Sequence, residues 1–182
     1  DILYFFDVGT EVASLGLRVC FVSSYPPNRA RLSEYAQNLV TALANREAID
    51  ELYLLVDKTN YPNGTKPNSK VKIYRIWQAD SLFSILKVMR YIIKLRPNVV
   101  HFNVSFQSFG QSKITNLSGL SLILLSRVFG FKVLAGVHTF ADMADLEKFN
   151  IKPSVINKVG IFVATKIVLS AQNVVVLVKG YG

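Results

Sequence analysis

Cysteine is almost absent from this chain: Cys20 is the only one in 182 residues. That excludes an intrachain disulfide and any cysteine-rich zinc site, and its place in an apolar run predicts a buried, inert thiol. A reducing, cytoplasmic setting is the expectation. Acidic residues are scarce as well, 12 against 21 Lys and Arg, for a net charge of +9. An excess of that size favours anionic partners: nucleic acid, phosphorylated small molecules or an acidic membrane surface. The basic residues are scattered, with no arginine-rich block and no zinc-finger, homeodomain or RNA-recognition signature, so nucleic acid drops out. Apolar runs such as "VVVLV" at 174 to 178 fall far short of the roughly eighteen residues that a membrane-spanning helix needs. Nothing resembles a signal peptide, so the Asn-x-Ser/Thr triplets at Asn63, Asn103 and Asn116 are not read as glycosylation sites. Also lacking is a G-x-G-x-x-G turn after the first apolar run, which weakens a dinucleotide-binding reading. No metal or cofactor is expected.

What is present is an alternation. Half the residues are hydrophobic, enough for one well-buried domain. Leu17 to Ser23 reads as a strand buried on both faces, and the polar loop "YPPNRAR" follows. Leu32, Tyr35, Ala36, Leu39, Val40 and Leu43 then recur at helical spacing. Leu52 to Val56 and Val71 to Trp77 are predicted strands, separated by the loop "DKTNYPNGTKPNSK". Asp80 or Ser81 is placed to cap a helix to about Leu95, with Leu82, Ile85, Leu86, Met89 and Ile93 inward and Lys87, Arg90 and Lys94 outward. Asn98 to Phe102 is a fourth strand, Leu117 to Phe129 a helix closed by Gly130, and Lys132 to Val137 a fifth strand. A helix from about Pro153 to Ser170 and a strand at 173 to 178 complete the series. Strands alternating with helices this regularly predict an α/β fold: a Rossmann-like open parallel sheet of about six strands, helices on both faces. Residues 1 to 16 precede it as an unexplained N-terminal segment.

In such sheets ligands bind beyond the carboxyl ends of the strands, where strand order reverses. With the order 3-2-1-4-5-6, the loops at 24 to 31, 103 to 112 and 138 to 142 share one rim. Both histidines, His101 and His138, fall at or just past strand ends there. A neutral imidazole suits ligand contact at physiological pH; a hydrogen-bonded structural role is the competing reading, stronger for His101 because Phe102 follows it.

The stretches "RVCFVSSYPPNRARLSEYAQNLVTAL", "PNVVHFN", "VLAGVHTF" and "ATKIVLSAQNVVVLV" also carry a resemblance. In this order and at these intervals they are similar to the N-terminal domain of GT-B glycosyltransferases, in particular the large retaining family four, over roughly residues 17 to 180. The resemblance implies one half of a GT-B fold, the acceptor side of an enzyme that moves a sugar from a nucleotide-activated donor to a sugar or lipid-linked acceptor. It implies a catalytic position for His138 near the donor sugar and phosphates, where the ring would donate a hydrogen bond. Pro27, Asn28, Arg29, Ala30 and Arg31, with His101, Asn103 and Thr139, become the implied substrate and phosphate contacts.

Departures accompany it. Ala30 and Arg31 stand where the family has glycines that let backbone approach phosphate, making this loop bulkier and more basic. Thr139 stands where an aspartate is common, which argues against a base there. The donor-binding half that the resemblance implies is not within these residues, so the chain by itself is expected to lack turnover. A non-catalytic docking module and a nucleotide-binding Rossmann-like domain are the alternatives. Finally, the helix "LFSILKVMRYIIKLR" and the net charge predict weak, salt-sensitive contact with anionic membranes, through charge and at most Phe83 or Tyr91.

Overall fold

The computed structural model describes residues 16–59, 68–105, 107–138 and 154–176. Six strands form a single all-parallel sheet: β1 (Leu17–Ser23), β2 (Ile49–Asp57), β3 (Val71–Trp77), β4 (Val99–Val104), β5 (Lys132–Val137) and β6 (Asn173–Val176). Their order is β3-β2-β1-β4-β5-β6, so the chain winds outward from β1 in both directions. Four helices are described: α1 (Arg31–Ala44), α2 (Leu82–Leu95), α3 (Lys113–Val128) and α4 (Val155–Val168). This is the Rossmann-like open sheet that the alternation predicts.

Each face has its own core, set by the two-residue period of the strands. On one face α1 lays Ala36, Leu39, Val40 and Leu43 over Val19, Phe21, Leu52, Leu54 and Val56. On the other, α2, α3 and α4 bring Val88, Ile92, Leu122, Ile123 and Val168 against Cys20, Val22, Leu55, Val100, Phe102 and Val133. Burying each such Leu, Ile or Phe contributes about 2 kcal/mol, which makes this double interior the main source of stability. Cys20 lies fully buried in it, its thiol pushed up by burial. Trp77 is held at the same face, its indole N–H donating to the Leu55 carbonyl at 3.2 Å and its ring 5.6 Å from that of Phe109.

Several elements differ from the sequence expectation. α2 is turned by about one residue: Ile85, Val88, Met89 and Ile92 are buried, whereas Leu82, Leu86 and Ile93 face outward. Apolar residues occupy ten of the fourteen positions of this helix, so the period alone did not fix its angle. β2 and α3 both start earlier than predicted, at Ile49 and Lys113. Asp80 does not cap the helix it precedes. Its carboxylate accepts from the N–H groups of Gln111 (3.1 Å) and Ser112 (2.7 Å), just before α3, and these bonds lower its pKa. The Asp80 N–H closes the clasp on the Phe109 carbonyl at 2.9 Å. Gly110 makes this approach feasible: it has φ +139°, and a Cβ there would stand 2.6 Å from the Asp80 nitrogen.

Among the described residues no helix is long and apolar enough to cross a membrane.

Candidate functional site

The order reversal between β1 and β4 opens the sheet at its carboxyl edge, and three neighbouring strands deliver polar residues there. Phe21 of β1 pairs with His101 of β4, and Asn103 of β4 with Gly136 of β5. Two residues on, alternation keeps Ser23, Asn103 and His138 on the α1 face. A hydrogen-bonded line results: the Asn103 amide donates to Ser23 Oγ at 2.9 Å, and Asn103 Oδ1 lies 2.7 Å from His138 Nε2. Gly136, opposite Asn103, puts no side chain between them. The His138 N–H donates to the Val104 carbonyl at 3.0 Å, and Tyr35 of α1 meets the ring edge-on at 4.5 Å.

With the Asn103 amide N–H donating to Ser23, its oxygen accepts from Nε2–H, and the neutral His138 ring then keeps its lone pair on Nδ1. Half-burial lowers the pKa of His138 and favours this neutral form. The ring nitrogen that this line leaves uncommitted is Nδ1, an acceptor. His101 is placed differently. It is fully buried, edge-on to Phe21 at 4.7 Å, with neither ring nitrogen hydrogen-bonded, and its pKa is pushed down to about 3 by burial and then by His138. A ligand on the rim does not reach it unless the core opens. Tyr25 Oη and Ser33 Oγ, from the loop after β1 and the first turn of α1, are also buried without a partner.

The loop between β1 and α1 is fastened to β2 and β3. Both carboxylate oxygens of Asp57 are taken, by the Tyr25 N–H at 3.0 Å and the Asn28 amide at 2.8 Å. Asn28 Oδ1 accepts from the Ala30 N–H at 3.0 Å, and the Arg75 guanidinium donates to the carbonyls of Asp57 (3.0 Å) and Pro26. The Pro26–Pro27 peptide is cis. Ala30 is the N-cap of α1 and offers no side-chain cap. Arg29 and Arg31 flank it, exposed and without an ion-pair partner among the described residues. Of the residues singled out from sequence, His138 and Asn103 are joined directly, Asn28, Arg29, Ala30 and Arg31 line the adjacent loop, and Pro27 shapes it. Thr139 lies outside the described residues. Sequence reasoning missed Ser23, Tyr35, Asp57 and Arg75. A polar residue ending a run of buried apolar ones, as Ser23 and Asp57 do, was the available signal. Among the described residues no cluster of His, Cys, Asp or Glu could hold a metal ion.

A doubly wound sheet with its polar line at the order reversal defines a Rossmann-like α/β domain. No family model matches the chain, and no curated protein does. Among solved structures it is similar to the Bordetella bronchiseptica enzyme WbmG, in complex with NAD and UDP, with a TM-score of 0.53 and 12% sequence identity over 88% of this chain and 52% of that one. The chain thus spans about half the length of that enzyme. At this identity the likeness speaks for the fold.

Proposed function

We propose that the chain is the acceptor-side half of a glycosyltransferase that uses a nucleotide-activated sugar, with the nucleotide sugar and acceptor meeting at the carboxyl edge of β1, β4 and β5. The observation that carries the reading is the Ser23–Asn103–His138 line, which ends in a neutral imidazole with Nδ1 as a fixed acceptor. Nδ1 takes a hydrogen bond from a sugar hydroxyl and orients it. Arg29, Arg31 and the uncapped amino end of α1 offer charge and N–H groups to phosphate. The donor is completed by a second domain.

A second reading, a nucleotide-binding Rossmann-like domain in an NAD-dependent sugar-nucleotide enzyme, is favoured by the fold shared with WbmG. The loop argues against dinucleotide binding. It contains no glycine, and Asp57, the acid at the end of β2 where a ribose diol is ordinarily held, already has both oxygens committed.

Titration calorimetry with UDP, a UDP-sugar and NAD separates the two. The transferase reading expects only weak UDP-sugar binding at neutral pH, because most of the donor site belongs to the other half of such an enzyme, and weaker binding still as pH falls and His138 protonates, since the lost Nδ1 lone pair can no longer accept. His138→Ala should weaken it at least about tenfold, with an unchanged thermal melt. Tight binding of NAD, lost in Asp57→Asn, would establish the second reading instead.

A further inference from the structure

The layer formed by α2, α3 and α4 is unlike any other part of the surface. Lys87, Arg90, Lys94, Lys113, Arg127, Lys158 and Lys166 all point outward from it, and the three helices contain no Asp or Glu at all. Between these cations stand large apolar side chains in the open: Leu82, Phe83 (80% exposed) and Leu86 on α2, Ile114 on α3, and Val155, Ile156 (81% exposed), Val159 and Phe162 on α4. Leu82, Phe83, Ile114, Val155 and Ile156 lie in the first turns of their helices, which in a parallel sheet start beside the carboxyl end of the strand before them, whereas Ile93, Leu124, Leu125, Val128 and Leu169 are exposed toward the opposite edge, so the apolar surface runs the length of the layer. The amino ends are tied together side by side, α2 to α3 by the Asp80 bonds to Gln111 and Ser112, and α3 to α4 by Lys113 donating to Asn157 Oδ1 at 2.8 Å. An apolar cleft lined by Ile114, Leu117, Leu120, Ile156 and Ile161 opens between α3 and α4.

From this we infer that the α2–α3–α4 face is a docking surface for an anionic lipid bilayer, with Phe83, Leu86, Ile114 and Ile156 entering the headgroup region and the lysines and Arg90 meeting lipid phosphates. Charge selects this occupant. A second copy of the chain would set seven cations against seven, and the core of a protein interface is depleted in lysine. Basic residues among exposed Phe, Leu and Ile are the composition of an interfacial membrane surface. The inference extends the sequence expectation in two ways. Three helices take part instead of one, and the turned face of α2 supplies apolar insertion, so salt weakens binding without abolishing it.

Vesicle sedimentation tests it with phosphatidylcholine vesicles, with and without phosphatidylglycerol, across a salt series. The expected result is binding that needs phosphatidylglycerol and retains a residual part at high salt. Each cation near the surface contributes roughly fivefold at low salt, so Lys87→Glu with Lys158→Glu should reduce partitioning by more than tenfold there. Phe83→Ser with Ile156→Ser should reduce it at least about tenfold at every salt concentration. All four positions are exposed, and unchanged circular dichroism would confirm folded variants. No binding to anionic vesicles at low salt overturns the inference, as does binding indifferent to the apolar pair. Sedimentation velocity showing a dimer that Phe83→Ser with Ile156→Ser dissolves would assign the face to a second copy. The inference does not depend on the transferase reading: vesicle binding without UDP-sugar binding removes only the latter.

Discussion

His101 carries the same ring as His138 one strand away, yet the fold leaves it without a single hydrogen bond. An unpaired buried polar group costs about 1 to 3 kcal/mol, and a charged one far more, so this ring is held neutral. The sign of the pH dependence follows. The folded pKa lies below the ordinary value, near 3, so the unfolded chain takes up a proton first as pH falls. Stability contributed by the neutral ring is complete above about pH 6.5 and is lost below it by about 1.4 kcal/mol per pH unit, until the folded value is reached. Urea unfolding at about pH 7.5 and about pH 5 should therefore show a smaller pH-dependent loss for His101→Phe than for the wild type, with the variant at least as stable at the higher pH. An equal loss in both would place the ring in contact with water. Asn103 is the opposite case: every polar atom of its amide is used, and Asn103→Leu strands Ser23 Oγ and His138 Nε2 together, at a cost of about 2 kcal/mol or more.

At the scale of elements, α2 gives the sharpest test of packing. Ile92 is wholly buried and Leu86 is mostly exposed, although both are large aliphatic residues of one helix. Ile92→Ala should lower the unfolding free energy by about 3 kcal/mol and Leu86→Ala by less than about 0.5, measured by chemical denaturation. A larger cost at Leu86 than at Ile92 would mean that the helix sits at the angle the sequence predicts. The order of strands and helices was legible because alternation of short β-branched runs with helical periods admits few topologies. His138 and Asn103 were legible as rim residues for the same reason, since strand ends locate the rim. The angle of α2 was not, because a helix apolar on most sides has no unique inward stripe. The Asp80 clasp and the Asp57 anchor were hidden for another reason: each links positions some thirty residues apart, and only the strand order brings them together.

Considered as a whole, the molecule is a continuous sheet with a separate apolar layer on each face, so no strand can leave without exposing both. The chain is expected to unfold in one cooperative step; on the transferase reading these 182 residues by themselves are expected to show no sustained sugar transfer, because enclosing the donor takes two domains. Sustained turnover by the purified chain would end the two-domain reading. Charge is uneven as well: α2, α3 and α4 carry no acidic residue, the exposed Asp80 lying just before α2, while Glu34, Glu47, Asp50 and Glu51 belong to α1, β2 and the turn between them. Trp77 is the only tryptophan of the chain. Clamped to Leu55 and tilted against Phe109, it is a built-in fluorophore for the three-helix side and is blind to the α1 side. Its emission thus reports one layer, whereas far-ultraviolet dichroism reports the whole backbone. If the two traces separate along a denaturant gradient, the layer under α1 melts on its own, and the polar line at its edge opens before the rest of the protein does.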